Sequence, residues 1–369
     1  MSAKTKLVDM AVVARVDKVR GEFDGAGIDA LMVSKPVNVR WLTGFTGSNG
    51  RVVITTDRLL LITDARYAEQ APQQLAANGV EAEIEITVDT NGAAAAALAR
   101  DRVGIEAAHL TVAEYGRLED VLDATLVVTD GLIEVLRQYK DDGEISRLRR
   151  ASEVADAAFA VVYPLLDERP TERAFGAELD HQMRLLGADE VSFETIVGSG
   201  PNAALPHARP SDRRVEHGDL VVLDFGAKID GYGSDMTRTV VAGGDPTERQ
   251  AALYDAVATA QRCGVAAVKD GIEQVAIDIA CREVLADRGM ADHFTHGTGH
   301  GIGLEIHEQP ILSPRSVGIL RAGLVVTVEP GAYFPGYGGV RVEDSVIVTR
   351  TGCVPITHSP KGLVPDFVG

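Results

Sequence analysis

Asp224, Asp235, Glu329 and Glu343, together with His300, are the residues of this chain whose types suit a pair of divalent cations. Each stands in a glycine-rich or strand-like run. Hard carboxylate oxygens suit Mn²⁺ or Mg²⁺, and one imidazole extends the range towards Zn²⁺ and Co²⁺. Four carboxylates cancel the charge of two such ions. A water held between the ions can ionise near neutral pH, because bound metal lowers its pKa from 15.7 to about 7 in the best cases. That is the equipment of metal-assisted hydrolysis.

Two predicted hairpins supply the acids. Leu220 to Ala227 is a strongly apolar strand containing Asp224. The turn Lys228-Ile229-Asp230-Gly231-Tyr232-Gly233 follows, and then a second strand-like run from Ser234 to Val241 containing Asp235. Asp-Gly between β-rich runs is a strong hairpin signal. The spacing is symmetric about the point between Ile229 and Asp230, so Asp224 and Asp235 are expected near facing positions, with Cβ atoms about 5 Å apart. The construction recurs: Leu324 to Glu329 runs into Pro330, a turn rich in Gly336, Gly338 and Gly339 follows, and Val340 to Asp344 returns. Glu329 and Glu343 are symmetric about Gly336. Two such hairpins predict a pseudo-twofold domain with the site on its axis. One acid alone would read as a solvated hairpin charge; Asp224 lies in a run too apolar for that.

The segment His296-Gly-Thr-Gly-His300-Gly-Ile-Gly-Leu-Glu-Ile-His307-Glu308 holds three of the nine histidines. Its glycines let backbone approach a ligand closely. Spacing does not decide which of the three binds metal. His207, in Ala-Leu-Pro-His-Ala-Arg-Pro, reads by itself as a surface-loop histidine.

These segments need a scaffold. The N-terminal third alternates helix and strand signals: a helix from Asp9 to Gly27, a strand at 30–33, a hairpin of 51–55 and 59–63, and helices at 66–78 and 93–99. Strands at 103–106 and 126–128 complete an α/β domain ending near Asp130. A long helical stretch from Glu144 to Leu166 follows a polar hinge, with domains expected at 1–135 and 136–369. A length of 369 residues suits two or three domains.

Apolar content of 45% and charged content of 24% are those of an ordinary globular protein. The net charge of −18 argues against nucleic acid or an anionic membrane surface as a partner. No signal-peptide core is visible within Met1 to Arg20, and no run approaches the ~18 apolar residues of a membrane span. Cys263, Cys281 and Cys353 read as reduced thiols, so a cytoplasmic location is expected.

The run 296–308 closely resembles the signature of the proline peptidases, Xaa-Pro dipeptidase (prolidase) and Xaa-Pro aminopeptidase. Leu-Asp-Phe-Gly (223–226), Ser-Asp-Met-Thr-Arg-Thr (234–239), Thr-Val-Glu-Pro-Gly (327–331) and Val-Arg-Val-Glu-Asp (340–344) match the pattern in order and spacing. Lys140-Asp-Asp-Gly-Glu-Ile-Ser-Arg-Leu-Arg and Asn-Val-Arg-Trp-Leu-Thr-Gly-Phe-Thr-Gly (38–47) extend the likeness over nearly the whole chain. The resemblance implies a creatinase-like α/β N-terminal domain. It also implies an α+β pita-bread catalytic domain with a pseudo-twofold antiparallel sheet.

The same resemblance implies two metal ions, with Mn²⁺ expected and Co²⁺ or Zn²⁺ as alternatives. Asp224 and Asp235 would bind one, His300 the other, and Glu329 and Glu343 would complete the pair, with Asp235 and Glu343 bridging. His207 and His307 would contact substrate, Glu329 would carry a proton, His296 would line the pocket, and Arg341 would buttress a ligand carboxylate. The implied reaction is attack of a metal-bridging hydroxide on the carbonyl preceding proline in a dipeptide, by a homodimer. Xaa-Pro aminopeptidase action on longer peptides is the alternative. A non-catalytic pita-bread binding module is a third reading, disfavoured by five intact ligand positions.

Overall fold

The structure, a computed structural model, describes residues 7–98 and 102–367. It divides into two compact units, one of Asp9–Arg137 and one that runs from Gln138 and includes Leu7 and Val8. Val8 belongs with the second because its carbonyl accepts a hydrogen bond from Arg147 at 2.8 Å.

The first unit is an α/β sheet. Strands β1 (Ala30–Val33), β2 (Gly50–Thr55), β3 (Leu59–Thr63), β4 (Glu83–Ile86), β5 (Arg102–Glu106) and β6 (Thr125–Thr129) lie in the order β4-β3-β2-β1-β5-β6. The 51–55/59–63 hairpin forms as expected, with Ile54 opposite Leu59. Met32, Val53, Leu60, Ile62 and Ile105 make its buried centre. The helix expected over 9–27 is broken into Val12–Ala14, Arg15–Gly21 and Phe23–Ala26. Gly21 and Gly25 weaken a continuous helix through their backbone entropy, and Gly27, at φ 67°, ends it. The alanine-rich helix starts earlier than expected, at Thr90, because the Asp89 side chain accepts from the Gly92 amide. Its expected last residue, 99, lies outside the described residues. The edge strand β4, Glu-Ile-Glu-Ile, is too short and too charged to stand out in the sequence.

The second unit is built from two halves. Helix Asp142–Val162 begins with a reciprocal cap between Asp141 and Glu144 and stops where Pro164 removes an amide donor. With helix Glu172–Leu185 it packs on the first half of the sheet. That half comprises β7 (Glu190–Val191), β8 (Ile196–Ser199), β9 (Leu220–Phe225), β10 (Ala227–Ile229), β11 (Tyr232–Gly233) and β12 (Met236–Val241), in the ladders β12-β9-β8 and β11-β10-β7. Phe159, Phe175, Leu223 and Phe225 lie in the core between them.

Helices Glu248–Ala267 and Gln274–Asp287 cover the second half in the same way. Its strands are β13 (Gly299–Gly301), β14 (Glu308–Leu312), β15 (Val325–Val328), β16 (Gly331–Phe334), β17 (Gly338–Arg341), β18 (Asp344–Val348) and β19 (Cys353–Pro355). They form the ladder β14-β13-β15-β18-β19 and the hairpin β16-β17. The halves meet where the Glu343 amide donates to the Thr237 carbonyl at 3.2 Å. The Arg341 amide and the Thr239 hydroxyl also bond there, at 3.0 Å.

An expectation about the site is also corrected. Asp224 does not face Asp235; it pairs with Thr237 across β9 and β12. Asp230 and Gly231 both have positive φ, 45° and 81°, which makes a two-residue turn centred between them and moves the register. Asp235 is then the diagonal neighbour of Asp224, two residues from Thr237 on the same face, and still within side-chain reach. The second hairpin keeps the expected centre. Val328 pairs with Asp344, and Gly331 with Arg341, so Glu329 and Glu343 stand opposite each other between two ladders of one register.

Candidate metal centre and substrate cavity

The five residues converge. Asp224 is the penultimate residue of β9, Asp235 precedes β12, His300 lies in β13, Glu329 follows β15 and Glu343 precedes β18. Carboxylate oxygens of Asp224, Asp235 and Glu343 all lie within 4.8 Å of one another. His300 Nε2 stands 3.5 Å from Asp235 Oδ2 and 3.3 Å from Glu329 Oε1. Asp235 and Glu343 are 5% and 1% exposed, so these are not solvated hairpin charges.

The structure also separates the three histidines. His300 Nδ1 lies 3.1 Å from the Gly301 carbonyl, which can only accept, so that nitrogen carries a proton and Nε2 is the one turned to the acids, where it can serve a cation. His296 is committed elsewhere. Its Nδ1 donates to Gly297 O at 2.8 Å, and its Nε2 accepts from the Tyr333 hydroxyl at 2.8 Å. Tyr333 can donate there because its oxygen in turn accepts from Arg341 at 2.9 Å. The His307 ring stacks edge-on against His300, 4.4 Å between centroids, and is exposed to the cavity.

Arg341 is 2% exposed and spends its guanidinium on four acceptors. These are Asp224 Oδ2 at 2.5 Å, Thr237 Oγ1 at 2.9 Å, Pro206 O at 2.9 Å and Tyr333 Oη. Through Pro206 it also holds the loop that carries His207. Thr237 donates to Glu343 Oε2 at 2.8 Å, and Arg238 donates to the carbonyl of the same glutamate.

The electrostatics fit cations. Asp224 Oδ1 and Glu343 Oε1 are buried without a hydrogen-bond partner, a costly state for a carboxylate unless a cation is bound. Burial, then the neighbouring carboxylates, push Asp235 and Glu343 well above the ordinary carboxyl range. Burial also raises Asp224 against the opposing pull of Arg341. Glu329 is desolvated too, yet the His300 hydrogen bond and the charges of His300, His296 and Arg341 outweigh burial and hold it down at about 2. His300 is raised because Glu329 overcomes its desolvation.

The acids floor a cavity of about 650 Å³. His207, His296 and His307 line it, as do Phe193, Glu194, Arg209, Ile306 and Ile311. Sequence reasoning gave no role to Tyr333 or Thr237. Thr237 lay inside a quoted motif, whereas a lone tyrosine in Gly-Ala-Tyr-Phe carries no signal. Glu172 was missed as well. It is fully buried and accepts from Ser199, Asn202 and Ser211, which ties down both ends of the loop that presents His207.

Residues 146–350 match metallopeptidase family M24, and residues 15–139 match the Creatinase/Prolidase N-terminal domain. The chain is 42% identical to the uncharacterized peptidase YqhT of Bacillus subtilis over 95% of this chain and 99% of that one. Among solved structures it resembles an Xaa-Pro dipeptidase from Bacillus anthracis, with TM-score 0.91 and 41% identity over 96% of this chain and 99% of that chain. It also resembles an X-Pro aminopeptidase from Thermotoga maritima, with TM-score 0.84 and 33% identity over 91% and 97%. The buried acid cluster, the unpartnered carboxylate oxygens and these matches agree: the chain belongs to metallopeptidase family M24 and is a two-domain metallopeptidase of the pita-bread fold.

Proposed function

We propose that the enzyme cleaves the Xaa-Pro bond of dipeptides with two divalent cations held by Asp224, Asp235, His300, Glu329 and Glu343. The observation that carries this reading is the meeting of four carboxylates and one imidazole, two carboxylate oxygens unpartnered, on the floor of a histidine-lined cavity. The Bacillus anthracis relative is named an Xaa-Pro dipeptidase, and this supports the substrate class. When bound, such a pair of cations activates water as a nucleophile and polarises the scissile carbonyl. Mn²⁺ is the expected metal, with Co²⁺ or Zn²⁺ as alternatives.

The chain's own groups do the rest. The α-ammonium of the substrate is drawn to the acid-rich floor. His307 and His207 face the cavity and donate hydrogen bonds to the oxygen charge that develops as the carbonyl is attacked. The Glu329 carboxylate, ionised at neutral pH, accepts the proton of the attacking water and delivers it to the prolyl nitrogen, which leaves poorly without one. Arg341 orients Asp224 and favours its charged form.

The test is hydrolysis of Ala-Pro, Ala-Pro-Ala and Ala-Ala by chelator-stripped enzyme resupplied with Mn²⁺. Metal-dependent cleavage of Ala-Pro, with Ala-Ala untouched, is expected. Asp224→Ala and Glu343→Ala should lose both activity and bound metal, whereas His307→Ala should keep metal and lose kcat. Full activity in either acid variant would overturn the ligand assignment. Preference for Ala-Pro-Ala would move the enzyme to the aminopeptidase reading, which the Thermotoga maritima structure favours. Cysteines 263, 281 and 353 are free thiols, and they support the cytoplasmic part of the reading. A homodimer is part of it too, checked by sedimentation.

A further inference from the structure

A dipeptide brings its own carboxylate into the cavity, one Cα from the nitrogen that is released. A carboxylate brought to the cavity is best met by a cation that can form a charge-assisted hydrogen bond with it. Among the described residues lining the cavity, the permanently charged cations are Arg341 and Arg209. Arg341 is 2% exposed, and its donors are taken by Asp224, Thr237, Tyr333 and the Pro206 carbonyl. Four of its five N–H groups are committed to holding the floor.

Arg209 is different. It stands two residues beyond His207, and its side chain is 84% exposed at the cavity rim. Its backbone is well held: Ala208 is buried, the Ala208 amide donates to Leu205 O at 3.2 Å, and Arg341 grips Pro206. A pinned base with an exposed, weakly paired guanidinium suits capture of a ligand. The partner of Arg209 is Glu194, at 3.5 Å and itself 65% exposed. An exposed pair of that length is worth little and is readily exchanged. The walls nearby, Phe193, Ile306 and Ile311, are apolar and cannot meet a carboxylate.

We propose that Arg209 binds the α-carboxylate of the C-terminal proline, exchanging Glu194 for substrate, and that this contact makes the enzyme prefer dipeptides. The proposal rests on the Xaa-Pro reading above and names the residue that selects substrate length within it. Glu194 acts as the internal competitor that occupies the guanidinium between turnovers.

The experiment compares kcat/KM for Ala-Pro and for its C-terminal amide, in the wild-type metal-loaded enzyme, Arg209→Ala, Arg209→Lys and Glu194→Gln. Metal content and melting temperature are checked in each. The acid-to-amide ratio should fall by about tenfold or more in Arg209→Ala, the loss of one charge-assisted hydrogen-bonded pair. The fall should come mainly through KM for the acid. Arg209→Lys should recover part of the ratio, and Glu194→Gln should raise it above wild type. Hydrolysis with an unchanged ratio in Arg209→Ala overturns the assignment while leaving the dipeptidase reading intact. No hydrolysis of either compound by the wild type overturns that reading and this assignment together.

Discussion

At the scale of single residues, Arg341 does the most. Burial by itself would lower the charged form of Arg341, but the neighbouring Tyr333, Asp224 and Glu329 hold its pKa well above the ordinary value. It reaches a ligand acid, the tyrosine that orients His296, and the loop of His207 from one planar fork. A lysine keeps the charge but cannot reach those acceptors together. Arg341→Lys should therefore cost about 2–3 kcal/mol in urea unfolding and lower kcat/KM by at least about tenfold, through loosened metal and a displaced His207. Unchanged metal stoichiometry and unchanged kcat/KM would remove Arg341 from the site.

At the scale of elements, two features position the candidate site residues. The first is β13, which carries His300 between tightly packed neighbours. A Cβ on Gly299 would lie 2.0 Å from the Thr327 carbonyl oxygen, and that oxygen belongs to backbone that cannot swing aside. Gly299→Ala should push β13 from β15, lower stability by about 1–3 kcal/mol and weaken the metal binding proposed for His300. Gly352→Ala, with open space around its Cβ, is the control and should change neither.

The second feature is the hub at Glu172, the first residue of its helix. Its carboxylate is desolvated, yet hydrogen bonds from Ser211 and Ser199 win and hold its pKa below the ordinary 4.5. Because the folded carboxyl titrates below the unfolded one, its contribution to stability is present above pH 4.5 and is lost as pH falls through the folded value. Glu172→Gln, which sets an NH₂ against those donors, should cost about 2–3 kcal/mol at pH 7. Its unfolding midpoint should also vary less than that of the wild type between pH 6 and pH 3. Parallel pH curves for the two proteins would refute the hub.

At the scale of the whole molecule, the acid cluster opposes folding unless cations are present. Asp224, Asp235 and Glu343 cluster directly, Glu329 joins them through His300, and the Arg341 guanidinium pairs with Asp224. Removing metal should therefore lower the melting temperature, and Mn²⁺ should restore it in a concentration-dependent way. Ligand at a hundred times its Kd stabilises by about 2.7 kcal/mol. Differential scanning calorimetry before and after chelation measures this directly. A melting temperature indifferent to chelator and to added metal would mean that the cluster is not a metal site. Among the described residues no helix is long and apolar enough to cross a membrane.

The sequence by itself determined what depends on local chemistry. The Asp-Gly turn, the glycine-rich segment around His300, the apolar run enclosing Asp224 and the symmetry of Glu329 and Glu343 about Gly336 were all legible. Period, turn residues and ligand type are properties of short segments. Tertiary structure decided what depends on pairing between distant ones. The positive φ of both Asp230 and Gly231 set Asp224 opposite Thr237 rather than Asp235, a shift that strand composition does not specify. The commitment of the His296 ring to Gly297 and to Tyr333, itself held by Arg341, and the turning of His300 Nε2 to the acids came from packing. Thr237 supports Glu343 across 106 residues, and Glu172 gathers a loop up to 39 residues away. Such contacts form only when separate elements pack, because a hydrogen bond's direction is set by where two backbones meet and not by either segment alone.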